Sequence, residues 1–438
     1  MATILRGGYL IDGTGTDPAA DVSVVMDKGT ITEVGGVDAI KPGVDDTVVD
    51  VEGRTLMPGL IDAHTHLGYH VRQPDVWTQE LKESVELNTL YAAANATAIL
   101  HCGFTAIGDG GCRGFISSAV RDAIATGVIE GPRIRAAGAI ICGEAGLLDN
   151  TPPWSEVRTH ASLGMTVMGA DEVRGAVRRQ VKGGVDWIKV AASGVAGSRW
   201  SSADTDDLSY EELRAAVVEA AKFGLPVHAH AHSIGGIRAA VKAGVISLHC
   251  GEYADRAAIE EMRDAGIYFS PTIAWLHVRC MPRFGAPTDP EFRAEAWAAF
   301  EAARRMVPEA QRLGATIAVG TDAAHRFPHV PDGVLEMEYF VALGYTPMQA
   351  IVAGTSSAAK AIGCGDQLGK LKAGYAADIL MVDGNPARDI SLLRNKRNIV
   401  RMWKGGVEVG LAPDRGPVGV QFIPSDWIGH SLELLSAA

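Results

Sequence analysis

"YEELRAAVVEAAKFGLPVHAHAHSIGGIRAAVKAGVISLHC", residues 210 to 250, decides how the chain is read. Two amphipathic stretches, residues 210–224 and 234–244, each close on a glycine, as helix C-termini prefer. Each is followed at once by a short apolar run, "LPVHAH" (225–230) and "VISLHC" (245–250), of strand length and character. Helix, strand, helix, strand is the rhythm of a parallel sheet. The apolar runs also end in histidine, and that raises a chemical question.

Read outward from there, the same rhythm occupies the middle of the chain. Further strand-like runs are "GLIDAHTH" (59–66), "FTAIGD" (104–109), "RIRAAGAII" (133–141), "DWIKVAA" (186–192), "IYFSP" (267–271) and "TIAVGTD" (316–322). With the two above they make eight, spread over about 300 residues and separated by helical stretches, which predicts an α/β fold of the (β/α)8 TIM-like barrel type. A doubly wound open sheet is the competing architecture. Residues 1–57 read instead as β-branched strands broken by turns, with Asp27-Lys28-Gly29 marking a hairpin, and residues 366–411 have the same character. The expected organisation is a barrel over 58–365 beside a small β-sandwich domain built from both chain termini, 1–57 and 366–411. A Pro- and Gly-broken tail, 412–438, follows.

The 438 residues are 47% apolar and 21% charged, a globular composition, and the formal net charge is −12. Nucleic-acid binding needs a basic face, so a polyanionic partner is not expected. No run of eighteen apolar residues predicts a membrane span, and the N-terminus lacks the pattern of a secretory signal. Six cysteines are scattered without CxxC pairs, which argues against a disulfide framework and for the cytoplasm.

In barrels of this kind the active site lies at the C-terminal ends of the strands. Polar residues collect there. Strand 1 ends in His64 and His66, which point to one side because side chains alternate along a strand. Strand 4 carries Lys189 inside "WIKVAA", where an unpaired ammonium is costly and calls for neutralisation or a partner such as Asp186. Strand 5 holds His228, His230 and His232, strand 6 ends near His249, and strand 8 ends at Asp322. Three histidines on one strand face would crowd a single ion, so His228 and His232 are expected to face solvent or substrate. His101, His160, His277 and His430 lie away from strand ends and are expected to be structural or surface residues.

This constellation resembles the amidohydrolase superfamily, from "GGYLIDGTG" and "LMPGLIDAHTHL" through "GTDAAH" and "GTSSAAKAIG" to "LGKLKAGYAADILMVDGNP". Within it, "GVDWIKVAASG" and "TPMQAIVAGTSSAAKAIG" look most like the imidazolonepropionase-like branch, which includes enzymes that cleave Xaa-Pro and related dipeptides. The resemblance implies two divalent metal ions, zinc first, with cobalt, manganese or iron as alternatives. His64 and His66 would bind one ion and His230 and His249 the other. Lys189, carboxylated by CO2, would bridge both, and Asp322 would touch the first ion and carry protons. A hydroxide shared by the ions would attack the amide, and His232 would stabilise the oxyanion.

Two departures stand out. Relatives commonly read Glu-His-Gly at the end of strand 6, where this chain has His249-Cys250-Gly251. Without a gap the histidine falls one residue early, and a one-residue slip turns a side chain to the opposite face. Either a bulge restores His249, the preferred ligand, or Cys250 binds instead, since thiolate also suits zinc. The Gly-Gly-His that many relatives carry near strand 3 is also missing from "CGEAGLLD".

The implied reaction is hydrolysis of a linear C–N bond in a dipeptide, N-acyl amino acid or other small amide. A substrate carboxylate would need a cation, for which Arg199 and Arg326 are the candidates. Trp154, Trp200, Trp275 and Tyr69 would suit an aromatic, neutral substrate such as a xenobiotic amide, a carbamate or a phenylurea. A barrel that has lost catalysis and acts as a scaffold is the reading from a different class, and a homo-oligomer is expected from the family.

Overall fold

The computed structural model describes residues 1–69, 76–154, 161–195, 198, 200–280, 290–322 and 333–412. Five strands come first: β1 (Thr3–Leu10), β2 (Ala19–Asp27), β3 (Thr30–Gly36), β4 (Thr47–Asp50) and β5 (Thr55–Pro58). β2 and β3 form the expected hairpin, with Asp27 opposite Thr30. Lys28 and Gly29 lie at φ 48° and 84°, the left-handed pair that a tight two-residue hairpin turn needs.

The middle of the chain supplies ten short strands. β6 (Leu60–Thr65), β7 (Phe104–Asp109) and β8 (Arg133–Ala136) pair in parallel. β9 (Ile140–Gly143), β10 (Gly164–Val167), β11 (Ile188–Ala191), β12 (Val227–Ala231), β13 (Ser247–Cys250), β14 (Tyr268–Ser270) and β15 (Thr316–Ile317) form a second parallel sheet in the order 10-9-11-12-13-14-15. Backbone hydrogen bonds join the two sheets at both ends. Asp186 N donates to Ala136 O at 2.7 Å, and Ala63 N donates to Val319 O at 2.8 Å.

The run 133–141 divides into β8 and β9 because Ala137 and Gly138 leave the ladder. Ala137 N turns to Asp109 O, and Gly138 O accepts from Cys112 N. The run 316–322 stays extended only to Ile317, after which its amides go to Phe269 O, Ala353 O and His64 O in turn. Burial on both faces explains the near-continuous apolar sequences of these strands.

The helices between them follow the local signals. Ser209 and Glu212 form a capping box at the start of Tyr210–Ala221. Ser233 caps Ile234–Ala243, whose Ile237, Ala240 and Ala243 are buried, and Gly244 ends it at φ 93°. Among the described residues, no helix is long and apolar enough to cross a membrane.

Three last strands, β16 (Ile379–Val382), β17 (Ile399–Lys404) and β18 (Val407–Glu408), return to the first five. Together they make one eight-stranded sheet in the order 18-17-16-5-1-2-3, with β4 also on β1. It has its own apolar core, including Leu5, Val24, Ile31, Leu56, Ile379 and Trp403. Of the expected tail, 412–438, all but residue 412 lies outside the described residues.

Asp378, just before β16, ties this sheet to the parallel strands. Its carboxylate accepts from Arg133 Nε at 3.0 Å, from Arg133 Nη2 at 3.1 Å and from Gly405 N at 2.6 Å. Asp378→Ala would leave a half-buried guanidinium and an amide without an acceptor, at a cost of about 2 kcal/mol. A lower urea midpoint is the expected result; an unchanged midpoint would mean that the two parts hold together without this link.

Candidate metal centre

Most of the polar residues singled out above sit at, or just beyond, the C-terminal ends of the parallel strands, while Lys189 and His228 lie one residue in from the start of theirs. His64 is in β6 and His66 follows it; Lys189 is in β11, His228 and His230 in β12, His249 and Cys250 in β13, and Asp322 lies past β15. All are buried.

One group of donor atoms gathers His64, His66 and Asp322. Asp322 Oδ1 is 3.7 Å from His64 Nε2 and 3.1 Å from His66 Nε2. His66 Nδ1 is 2.8 Å from Gly111 O, and since a carbonyl only accepts, Nδ1 carries a proton. Its Nε2 then aims a lone pair at a carboxylate, an arrangement that requires a proton or a metal cation between the two. Burial works against the imidazolium, but Asp322 outweighs it and His66 titrates above the ordinary histidine value. His64 is pushed well below that value, by burial first and then by His249 and Lys189. The His64 ring is admitted by two glycines. A Cβ on Gly110 would lie 2.6 Å from its Cδ2, and one on Gly320 would lie 2.9 Å from its Cβ.

A second group gathers His230, His232 and Cys250. Cys250 Sγ is 3.6 Å from His230 Nδ1. His232 is fixed twice, by its amide donating to Ser193 Oγ at 2.7 Å and by Nδ1 against the Glu252 carboxylate. Burial lowers the basicity of His232, yet the adjacent Glu252 more than reverses this and its pKa rises to about 10.

Lys189 is buried with its Nζ against His249 Nδ1. Asp186 is not its partner, for that carboxylate is taken by Arg121, Arg135 and the amide of Ala136. Burial therefore pulls the Lys189 amine down to about 7.

Buried nitrogens without hydrogen-bond partners recur here: Nδ1 of His64 and Nε2 of His230, His232 and His249. Each unmet group costs about 1–3 kcal/mol, so this many in one place is a poor protein interior but a good ligand set. Imidazole, carboxylate and thiol donors suit zinc and its first-row neighbours. The residues fit a divalent metal.

His228 does not face solvent. It is fully buried under Trp187, with ring centroids 3.7 Å apart, because its side chain enters the packed layer beneath His249 and Lys189. Tyr69 is buried with its ring 5.1 Å from that of His66. Trp200 is 37% exposed and meets Trp154 edge-on at 6.4 Å, while Trp275 is buried. His101 and His277 are buried; His160, His430, Arg199 and Arg326 lie outside the described residues. Three carboxylates escaped the sequence reading: Glu252 behind His232, Asp109 at the end of β7, and Asp62 in β6. A charged residue inside an otherwise apolar strand was the available signal for the last two.

A model of the amidohydrolase family matches residues 55–409. The chain belongs to the amidohydrolase family. Ochratoxinase of Aspergillus niger is 32% identical over 442 residues, covering 95% of this chain and 88% of the relative. The solved structure of A. niger ochratoxinase superposes with a TM-score of 0.83 at 30% identity, covering 96% of this chain and 98% of that one. A Xaa-Pro dipeptidase with methionine bound in its active site gives 0.82 at 30% identity, over 93% of this chain and 100% of that one. This amidohydrolase is an enzyme that hydrolyses amide bonds.

Glu252 gives a test of the amidohydrolase site. Glu252→Gln removes the charge that orients His232, and partners of this kind typically contribute 10–100-fold. A loss of activity or metal affinity of about that size is expected from paired rate and metal-content measurements; no change in either would reduce Glu252 to packing.

Proposed function

We propose that the chain is a binuclear metal-dependent hydrolase that cleaves a linear C–N amide bond next to an amino-acid carboxylate, in a dipeptide or N-acyl amino acid. The observation that carries this is the pair of buried donor groups, His64/His66/Asp322 and His230/His232/Cys250, presented with Lys189 by the strands of the two joined parallel sheets and the segments that follow them. The backbone bonds that join the two parallel sheets at both ends support a closed (β/α)8 barrel as the scaffold.

His64, His66 and Asp322 would hold one ion and His230 the other, with a residue of β13 completing the second position. Lys189, buried beside His249 and unserved by Asp186, would bridge them after adding its amine to CO2, forming an N–C bond and releasing a proton. Divalent ions bound there would polarise the scissile carbonyl and acidify water, which is the chemistry an amide bond needs.

The chain's own residues do the rest. Asp322 Oδ1, beside both His64 and His66, takes up the proton of the attacking water and returns it to the leaving nitrogen. His232, held at Nδ1 by Glu252, keeps Nε2 for the developing oxyanion. Tyr69, packed against His66, lends an aromatic wall. The amino-acid assignment draws on the dipeptidase relative, whose site holds methionine, and on ochratoxinase. The aromatic wall favours a second reading, a neutral xenobiotic amide, carbamate or phenylurea.

The test is hydrolysis by metal-stripped and zinc- or cobalt-reloaded protein. Xaa-Pro and Xaa-Arg dipeptides and N-acyl amino acids are set against neutral anilides, carbamates and ureas. Cleavage confined to the carboxylate-bearing compounds, lost on chelation and restored by metal, is expected. Cleavage of the neutral compounds alone would favour the second reading, and inactivity with metal bound would favour a scaffold.

A further inference from the structure

We infer that Cys250, and not His249, is the ligand supplied by β13, so that the second metal position is a mixed His/Cys site built on His230 and the Cys250 thiolate. The inference rests on the binuclear reading above and names the residue which that reading leaves open.

The register sets the problem. β12 and β13 pair with His230 opposite His249 and Ala231 opposite Cys250. Opposed residues of neighbouring strands share a face, so strict alternation would send Cys250 away from His230. The backbone cancels this. Cys250 has φ 76° and Gly251 φ 81°, two left-handed residues in succession at the strand end. For a residue with a Cβ that conformation costs about 1–2 kcal/mol, and glycine would relieve it. Here it swings the thiol back inward. Sγ comes to 3.6 Å from His230 Nδ1, is joined by the Thr272 hydroxyl at 3.8 Å, and lies in the same donor group as His232.

His230 supplies the independent sign of a ligand. It is only 8% exposed; Nδ1 is the nitrogen that faces Cys250 Sγ, and Nε2 has no hydrogen-bond partner. His249, whose Nε2 is likewise without a partner, lies against Lys189 and His64. Its Nδ1 meets Lys189 Nζ, and its ring lies 4.0 Å from His64 and 5.6 Å from His228. Among the described residues it belongs to neither donor group. Its position suits it to hold the bridging lysine, a positioning role.

On binding, the thiol would give its proton to solvent and coordinate as thiolate. A soft donor at one of two positions makes them unequal, with the second position preferring zinc or cadmium to manganese or magnesium.

Cobalt(II) is the probe, because a cobalt–thiolate bond absorbs in the near ultraviolet whether or not substrate turns over. The full chain is stripped with a chelator and reloaded with Co2+, and its spectrum and bound cobalt are read together. Wild type and His249→Asn should show the sulfur-to-cobalt band. Cys250→Ser should lose it together with the second ion, and Cys250→His should lose it while keeping both ions. Two bound cobalt ions without a band in wild type, or a band that survives Cys250→Ser, would overturn the assignment and leave the metal-hydrolase reading standing. A chain that takes up no cobalt would overturn both.

Discussion

The centre depends on one buried carboxylate. Asp62 accepts from His64 N at 3.0 Å, from Thr321 N at 3.2 Å and from Thr321 Oγ1 at 2.5 Å. These bonds bind the end of β6 to the segment beyond β15. The amides of Thr321 and Asp322 reinforce the junction by both donating to His64 O. The spacing of His64, His66 and Asp322 is thus set by main chain around a carboxylate, before any ion arrives. Burial pushes Asp62 up to about 7 and its three donors pull the other way, so its hydrogen bonds offset a desolvation that would otherwise disfavour the site.

Around that junction the interior is unlike a normal core. It holds imidazoles, a lysine and a thiol with few mutual hydrogen bonds, and most are kept in their uncharged forms by burial. Such a cluster destabilises the chain until something binds it. A cation held by these donors stabilises the native state by mass action, so metal affinity and fold stability are linked here. The carboxylates at the edges, Asp109 behind β7 and Glu252 behind His232, supply orientation. Asp109 accepts from Leu67 N and Gly111 N, which fixes the loop whose carbonyl holds His66.

Much of this was legible in the sequence, for a physical reason. The helix-then-strand rhythm of 210–250 reflects periods of 3.6 and 2 that the chain obeys in place, and the metal-type residues lie at strand ends because only there do side chains reach a shared space. What escaped depends on contacts between segments far apart. Nothing near His228 in sequence says that Trp187 lies over it, and nothing near Lys189 says that two arginines hold Asp186. Lys189 and His249 meet across sixty residues. Cys250 was legible only as the alternative to His249: alternation along β13 could not choose between them, and the left-handed turn at Cys250 and Gly251 is not written in the local pattern.

That turn is not isolated. Cys250, Thr272 and Asp322, at φ 76°, 50° and 55°, are non-glycine residues in left-handed conformations beyond the ends of, or at the ends of, three successive strands, β13, β14 and β15. Backbone strain of this sort, about 1–3 kcal/mol per residue, persists only where the surroundings over-determine it. Here they do: the Asp322 amide is held by His64 O, the Thr272 hydroxyl by Cys250 Sγ, and Cys250 by the ladder to β12. Glycine at each position would relax the backbone and delete the group. Keeping the side chains at that cost directs a carboxylate and a thiol to points that regular strands do not reach.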